Sequence, residues 1–319
     1  MDGATQSQAN DGIADTAAQP RALNMHNLHL TTHFQSLQKT QTHHSMIRFP
    51  NAKINLGLNI VNRRPDGYHD IETVFYPIKL EDSLEIVPAK QGETTSLHCY
   101  GRHVDCPMEK NLVTKAYRML QREFGIGEVE MHLLKHIPDG AGLGGGSSDA
   151  SSALIILNRM FDLNLSPQQL AQRAATLGAD CPFFIYNTPM MATGIGDVFS
   201  NVDVNLNGYH LLLVKPDVYV PTAQAYAKVT PRPSDKPIPQ ILQLPIEQWR
   251  HHLKNDFEQS VFAQHPVLAD IKNAIYQAGA LYASMSGSGS SLFGIFSDAN
   301  MAEQAMLNFI DCDTYNIKL

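Results

Sequence analysis

At 319 residues, with 43% hydrophobic and 17% charged side chains, the chain can bury a sizeable core and has room for two domains. A formal charge of −7 argues against a broad basic surface and so against nucleic acid as a partner. No apolar run approaches the roughly 18 residues of a membrane span, no signal-peptide core is evident, and Cys99, Cys106, Cys181 and Cys312 form no C-x-x-C pair, which suits reduced thiols in the cytoplasm better than a disulfide framework or a zinc site.

Residues 1–45 are rich in Gln, Asn, Thr, Ala and His without sustained periodicity, which predicts a disordered leader, because such a segment cannot offset its ordering entropy by burial. Its histidines, among them His26, His29 and His33, lack ligand spacing. From Pro50 to Ile60, Ile54, Leu56, Leu58 and Ile60 alternate with Asn55, Gly57 and Asn59, predicting a half-buried strand. By spacing alone Lys53 and Asn55 on that strand read as surface residues. Arg63 to Gly67 is a turn, followed by Tyr68-His69 and an apolar strand over Val74 to Ile78.

Asn111 is placed to cap a helix carrying Val113, Ala116, Tyr117, Leu120 and Phe124. Val129, Met131 and Leu133 then give strand periodicity, and Ile137 to Ser152, IPDGAGLGGGSSDASS, follows. Glycine lets backbone N–H groups approach a ligand closely, and a helix N-terminus adds about half a positive charge, so a glycine run between a strand and a helix is a phosphate cradle. Ser147 or Ser148 is available as cap, and the helix reaches about Phe161. Ser166-Pro167 opens another helix, and Leu177 to Phe184 leads into an apolar strand. Asp180 sits at that junction, where a cap is the common reading and a general base the sharper one.

Three motifs compete for the glycine run. Gly140, Gly142 and Gly145 satisfy G-x-G-x-x-G, yet no second strand delivers an acid to a ribose. There is no Gly-Lys-Ser/Thr for a P-loop, and no H-R-D or D-F-G for a protein kinase. A flexible linker is disfavoured because the run joins a strand to an amphipathic helix. Near Asn205 the pattern changes: a strand over Tyr209 to Val214, an irregular proline-rich stretch from Pro216 to Pro237, helices around Leu253–Phe262 and Val267–Gln277, two strands flanking the loop Ser286 to Ser291, a helix Met301–Phe309 and a last strand. The order suggests a compact α+β second domain. The expected division is thus leader 1–45, a first domain 46–205 and a second domain 206–319.

Taken together, PNAKINLGL, IPDGAGLGGGSSDA and SMSGSGSSLFG resemble the GHMP small-molecule kinases from about Ile47 to the C-terminus. RRPDGYHDIET and LGADCPFF resemble the branch that phosphorylates the 2-hydroxyl of a cytidylyl-methylerythritol. The resemblance implies an α+β two-domain GHMP kinase fold, with an N-terminal half like ribosomal protein S5 domain 2 and a ferredoxin-like C-terminal half. It implies ATP and Mg2+ as cofactors and a small-molecule substrate. The segment Pro138-Asp139-Gly140-Ala141-Gly142-Leu143-Gly144-Gly145-Gly146-Ser147-Ser148 would hold the ATP phosphates, with Asn111 and Lys135 lining the adenine site. Asp180 would be the base, Lys53 its partner, and Asn55 would position the substrate. Tyr68, His69 and Tyr226 would take the cytosine, and Gly287 and Gly289 would close over the site. Phosphoryl transfer through a loose transition state needs alignment and charge neutralisation, so positioning should outweigh proton abstraction at Asp180. Asp139 departs from the family pattern as an anion beside the cradle, and is expected to face solvent; Asp197 stands where the family often has Glu. Homoserine or mevalonate phosphorylation would keep the cradle but has no use for D-G-Y-H, and a non-catalytic nucleotide-binding module has no use for Lys53 with Asp180.

Overall fold

The computed structural model describes residues 45–104 and 106–319, so the leader expected over residues 1–45 lies outside them except for Ser45. The described residues form one compact unit built on three four-stranded sheets. In the first, β1 (Met46–Arg48), β4 (Ser83–Pro88), β6 (Val129–Lys135) and β5 (Ser96–Gly101) lie side by side in that order. Helices α1 (Leu112–Phe124) and α2 (Gly145–Met160) cover one face, so that Leu84, Ile86, Tyr117, Leu120, Leu154 and Leu157 share a dry core. Each such side chain contributes about 1.5–3 kcal/mol on burial.

The second sheet runs β2 (Asn51–Arg63), β3 (His69–Glu81), β7 (Met190–Thr193), β8 (Val198–Asn201). Both strands of its long β2–β3 hairpin extend beyond the alternating cores visible in sequence. β2 is also more buried than a half-buried strand: its polar positions Lys53 and Asn55 are 3% and 2% exposed, because the loop after β6 packs against it, with Lys53 N–H donating to Leu143 O at 2.9 Å.

The third sheet is ordered β10 (Tyr282–Met285), β11 (Leu292–Phe296), β9 (His210–Lys215), β12 (Asp313–Lys318), with every neighbour antiparallel. Numbered within this half, that is the 4-1-3-2 order of a ferredoxin-like βαββαβ unit. Its two faces enter different cores. Leu211 and Leu213 pack with Ile54, Leu56, Trp249 and Phe293, while Leu212 and Val214 pack with Leu58, Ile60, Leu268 and Ile275. A parallel bridge between Leu58 and Asn255 ties β2 directly to the C-terminal half.

Three local readings change. The segment expected as a strand after Pro182 is the helix Cys181–Tyr186, with Pro182 in its first turn and Asn187 ending it at φ 52°. Proline fixes φ for a helix start and asparagine tolerates the left-handed region. Helix α2 begins at Gly145, with Gly144 as its N-cap, so Ser147 and Ser148 lie inside the first turn rather than capping it. The proline-rich stretch carries the short helix Thr222–Ala227.

Candidate active site

Strand β2 points Lys53 and Asn55, two residues apart, to one side. The Asn55 amide is oriented by its neighbours: Nδ2 donates to Thr73 Oγ1 at 2.9 Å, and Thr73 in turn donates to Gly57 O at 2.5 Å. That leaves Asn55 Oδ1 to accept from Lys53 Nζ at 2.7 Å. The ammonium also lies 4.8 Å from the Phe75 ring centroid and 3.6 Å from Asp180 Oδ2. Burial lowers the Lys53 pKa from the ordinary lysine value, and the Asp180 carboxylate opposes the shift. Asp180 directly precedes the Cys181–Tyr186 helix but accepts no capping hydrogen bond, and its side chain is 34% exposed, so the carboxylate faces both the lysine and the open cleft. Ser151 of α2 holds this junction in place, with Oγ 2.7 Å from Cys181 O.

Opposite the pair stands the glycine run. Gly142 and Gly144 adopt φ of 76° and 73°, which an L side chain rarely tolerates. A Cβ on Gly142 would lie 2.0 Å from Ser286 O, so the loop between β10 and β11 sits directly on the run. Ser286 Oγ donates to Gly142 O at 2.9 Å, and Ser291 N–H to Ala141 O at 3.3 Å. Asn255 braces that second loop from below by donating to Met285 O and Gly287 O, each at 2.8 Å. The result is a cleft of about 320 Å3 in which Lys53, Asn55, Gly142, Gly144, Asp180 and Gly287 meet.

One end of the cleft is aromatic. Tyr226 lines it, packs edge-on against Phe257 at 4.7 Å and stacks on His69 at 4.8 Å with 22° between ring planes. Burial raises the Tyr226 phenol pKa above the usual value. Tyr68 is 62% exposed beside this pair. Cleft, cradle and aromatic end thus unite Lys53, Asn55, His69, the glycines from Gly140 to Gly144, Asp180, Tyr226, Gly287 and Gly289.

Other expected residues are placed differently. Asn111 uses its side-chain oxygen to cap α1, accepting from Val113 N–H at 2.9 Å. The Lys135 ammonium does not reach a cleft at all: it is buried between Asp82 and Asp149, and although burial acts to lower its pKa, the two carboxylates raise it. Any adenine contact from Lys135 therefore falls to its main chain. Pro138 and Asp139 border a separate cavity of about 600 Å3, together with Arg102 and Lys215. Asp139 is exposed, so Asp139→Ala is expected to change the KM for ATP less than tenfold in steady-state assays, since exposed charges interact weakly through water. Thr73, Asn255 and Ser286 were not evident as site residues in sequence. Each acts through main chain or through Asn55, and only the spacing of Ser286 next to Gly287 offered a hint.

Comparison with known proteins gives a consistent picture. Residues 111–188 match the model of the GHMP kinases N-terminal domain, and residues 238–311 that of the GHMP kinases C-terminal domain. The chain is 54% identical over 252 residues to 4-diphosphocytidyl-2-C-methyl-D-erythritol kinase of Bacteroides thetaiotaomicron, covering 79% of this chain and 92% of that one. It is 52% identical over 267 residues to the enzyme of the same name from Parabacteroides distasonis, covering 84% and 97%. Among solved structures, a 4-(cytidine 5'-diphospho)-2C-methyl-D-erythritol kinase superposes with a TM-score of 0.72 at 31% identity, covering 86% of this chain and 100% of that one. A mevalonate kinase superposes with a TM-score of 0.67 at 14% identity, covering 86% and 98%; that likeness is one of fold.

Proposed function

The chain belongs to the GHMP kinase family, and from that premise we propose that it transfers the γ-phosphoryl group of ATP to the 2-hydroxyl of 4-diphosphocytidyl-2-C-methyl-D-erythritol, a step of non-mevalonate isoprenoid precursor synthesis. The observation that carries this reading is one cleft joining a Lys53–Asp180 pair and a glycine cradle to an aromatic end suited to a nucleobase. The cradle alone would serve any GHMP kinase; the His69–Tyr226 end gives a cytidylyl group its place.

In this reading the substrate hydroxyl lies beside Asp180 and the ATP γ-phosphorus faces it across the cleft. The hydroxyl oxygen forms the new P–O bond while the bond to the β,γ-bridging oxygen breaks, ADP leaves, and the hydroxyl proton passes to Asp180. Lys53 stabilises the charge on the transferring group, and the free N–H groups of the α2 N-terminus hold the leaving phosphates. Asn55, fixed by Thr73, keeps Lys53 aimed at the cleft. Mg2+ belongs to the same reading. No group of three His, Cys, Asp or Glu among the described residues could hold a metal, so phosphate oxygens and water would supply most ligands, with Asp180 and the loop serines as protein oxygens on offer. Bound there, the ion would neutralise phosphate charge. The free cysteines support a cytoplasmic setting, and no helix among the described residues is long and apolar enough to cross a membrane.

The test is a purified-enzyme assay of ATP consumption with the cytidylyl substrate, homoserine and mevalonate in parallel. Comparable kcat/KM on either of the latter would overturn the assignment. Tyr226→Ala is expected to raise the KM for the cytidylyl substrate roughly tenfold or more, the worth of one base–aromatic stack, with the KM for ATP little changed. An unchanged substrate KM would remove the aromatic end from base recognition.

A further inference from the structure

Tyr219 lines the catalytic cleft and has no part in the chemistry above. It lies between β9 and the Thr222–Ala227 helix and is 72% exposed, yet its backbone is held in place from both sides. Val218 N–H donates to Pro216 O at 2.8 Å, and Val218 O accepts from Ser290 Oγ at 2.5 Å and from Lys215 Nζ at 3.3 Å. Val220 is 4% exposed in the core that also holds Leu58 and Ile60, and Val218 packs against the same core. With its two neighbours turned inward, Tyr219 is turned out over the cleft.

Beneath the ring is the start of the glycine run. A Cβ on Gly140 would stand 3.0 Å from Tyr219 Cε2 and 3.4 Å from Tyr219 Cδ2, so glycine at this position, at φ 58°, leaves the room that the ring occupies. The ring presents its edge to the run, and the edge is the positive part of an aromatic quadrupole. Cε2 is the nearer of the two atoms and is bonded to the carbon that carries the hydroxyl, so the phenol end tips toward the run. Thr222 Oγ1 and Ser288 Oγ, neighbouring hydroxyls of the rim, are hydrogen-bonded to each other at 3.2 Å. The Tyr219 hydroxyl has no hydrogen-bond partner among the described residues and keeps its donor to spare.

We propose that Tyr219 is a nucleotide-binding residue whose hydroxyl donates a hydrogen bond to a phosphate oxygen of the bound triphosphate while its ring closes the glycine run from the side of the C-terminal half. This rests on the reading that the run holds the ATP phosphates. In that reading the α2 N-terminus meets the phosphates from below and Lys53 meets the transferring group, whereas Gly140 is exposed and the phosphates beside it face water. A phenol carried on a fixed main chain supplies a donor there at small entropic cost, because ordering it restricts only two χ angles. A hydrogen bond to a charged oxygen is among the stronger ones a neutral side chain can make. The segment from Tyr219 to Tyr226 then faces ATP with its first residue and the cytidylyl group with its last.

The experiment compares the full chain with Tyr219→Phe and Tyr219→Ala by calorimetric titration with Mg-ATP and by steady-state kinetics. The side chain is exposed, so both variants should melt as wild type does. Loss of one hydrogen bond to a charged group should weaken the Kd for Mg-ATP about tenfold in Tyr219→Phe, and Tyr219→Ala, which also uncovers the run, should weaken it further. The KM for ATP should rise with the Kd, and the KM for the cytidylyl substrate should stay where it is. That split separates a phosphate contact from a disturbed segment, which would also move Tyr226 and raise the KM for the cytidylyl substrate. An unchanged Kd for Mg-ATP in Tyr219→Phe overturns the proposal, and so does a rise in both KM values together. Wild type that binds no Mg-ATP, with or without the cytidylyl substrate, would instead remove the phosphate-cradle reading on which the proposal stands.

Discussion

Replacing Asp180 by asparagine is expected to lower kcat at least ~10²-fold, the lower range for loss of a general base, while the KM for ATP changes little. Two effects act together. The amide cannot accept the hydroxyl proton, and it no longer offsets the burial that lowers the Lys53 pKa. The second has a direction that can be checked. On the proposed mechanism Lys53 acts as an ammonium, so the Lys53 contribution to kcat is present at neutral pH and lost as pH rises through that lysine's titration. Without the carboxylate 3.6 Å away, the ammonium gives up its proton more readily, and the alkaline limb of the kcat profile moves to lower pH in the variant. Steady-state kinetics from pH 6 to 10 on both proteins measure both outcomes. A near-wild-type rate would remove Asp180 from the chemistry, and an unmoved limb would uncouple it from Lys53.

The second large effect belongs to Gly142→Ala. The substitution meets two obstacles at once, a backbone at φ 76° and a main-chain oxygen, Ser286 O, 2.0 Å from the new methyl group. Conformational strain alone costs about 1–2 kcal/mol. The clash cannot be relieved by a side-chain rotation, because the obstacle is backbone, so the glycine run and the Ser286–Ser291 loop must separate. That breaks the bonds Ser286 Oγ to Gly142 O and Ser291 N–H to Ala141 O. A displacement of about 1 Å at a reacting site costs on the order of 10²-fold, so kcat/KM for ATP should fall by about that much. Gly92→Ala is the control: its φ is 88° but nothing lies within 4 Å of the new Cβ, so it should lose stability on melting and keep its kinetics.

Much of the cradle could be read from sequence because it depends on local chemistry. Glycine where φ must be positive, an apolar helix after it and alternating strands before it are all short-range signals. The partners of those elements were less legible. Thr73 looks like one more β-former at the edge of an apolar strand, and its role in turning the Asn55 amide depends on a pairing register set by the bulge near Gly57. Lys53 reads as a surface lysine until Asp180, far along the chain, is brought beside it. Lys135 carried a signal that was available: it continues the inward parity of Val129, Met131 and Leu133, which predicts burial, while Leu134 between them is 48% exposed. Cys181–Tyr186 has the composition of a strand and folds as a helix, since its first-turn proline and terminal Asn187 outweigh the preference of its apolar residues.

Strand β2 places Ile54 and Leu56 in one core with Leu211, Trp249 and Phe293, and Leu58 and Ile60 in another with Leu268 and Ile275. The strand that supplies the lysine is thereby also an internal wall of the opposite half. Grafting the C-terminal half of a distant relative onto this N-terminal half would present mismatched contours to both sides of that wall, in an interior that tolerates little change of volume. Acceptor preference in this architecture is therefore more readily altered through the rim residues of the cleft than by exchanging whole lobes.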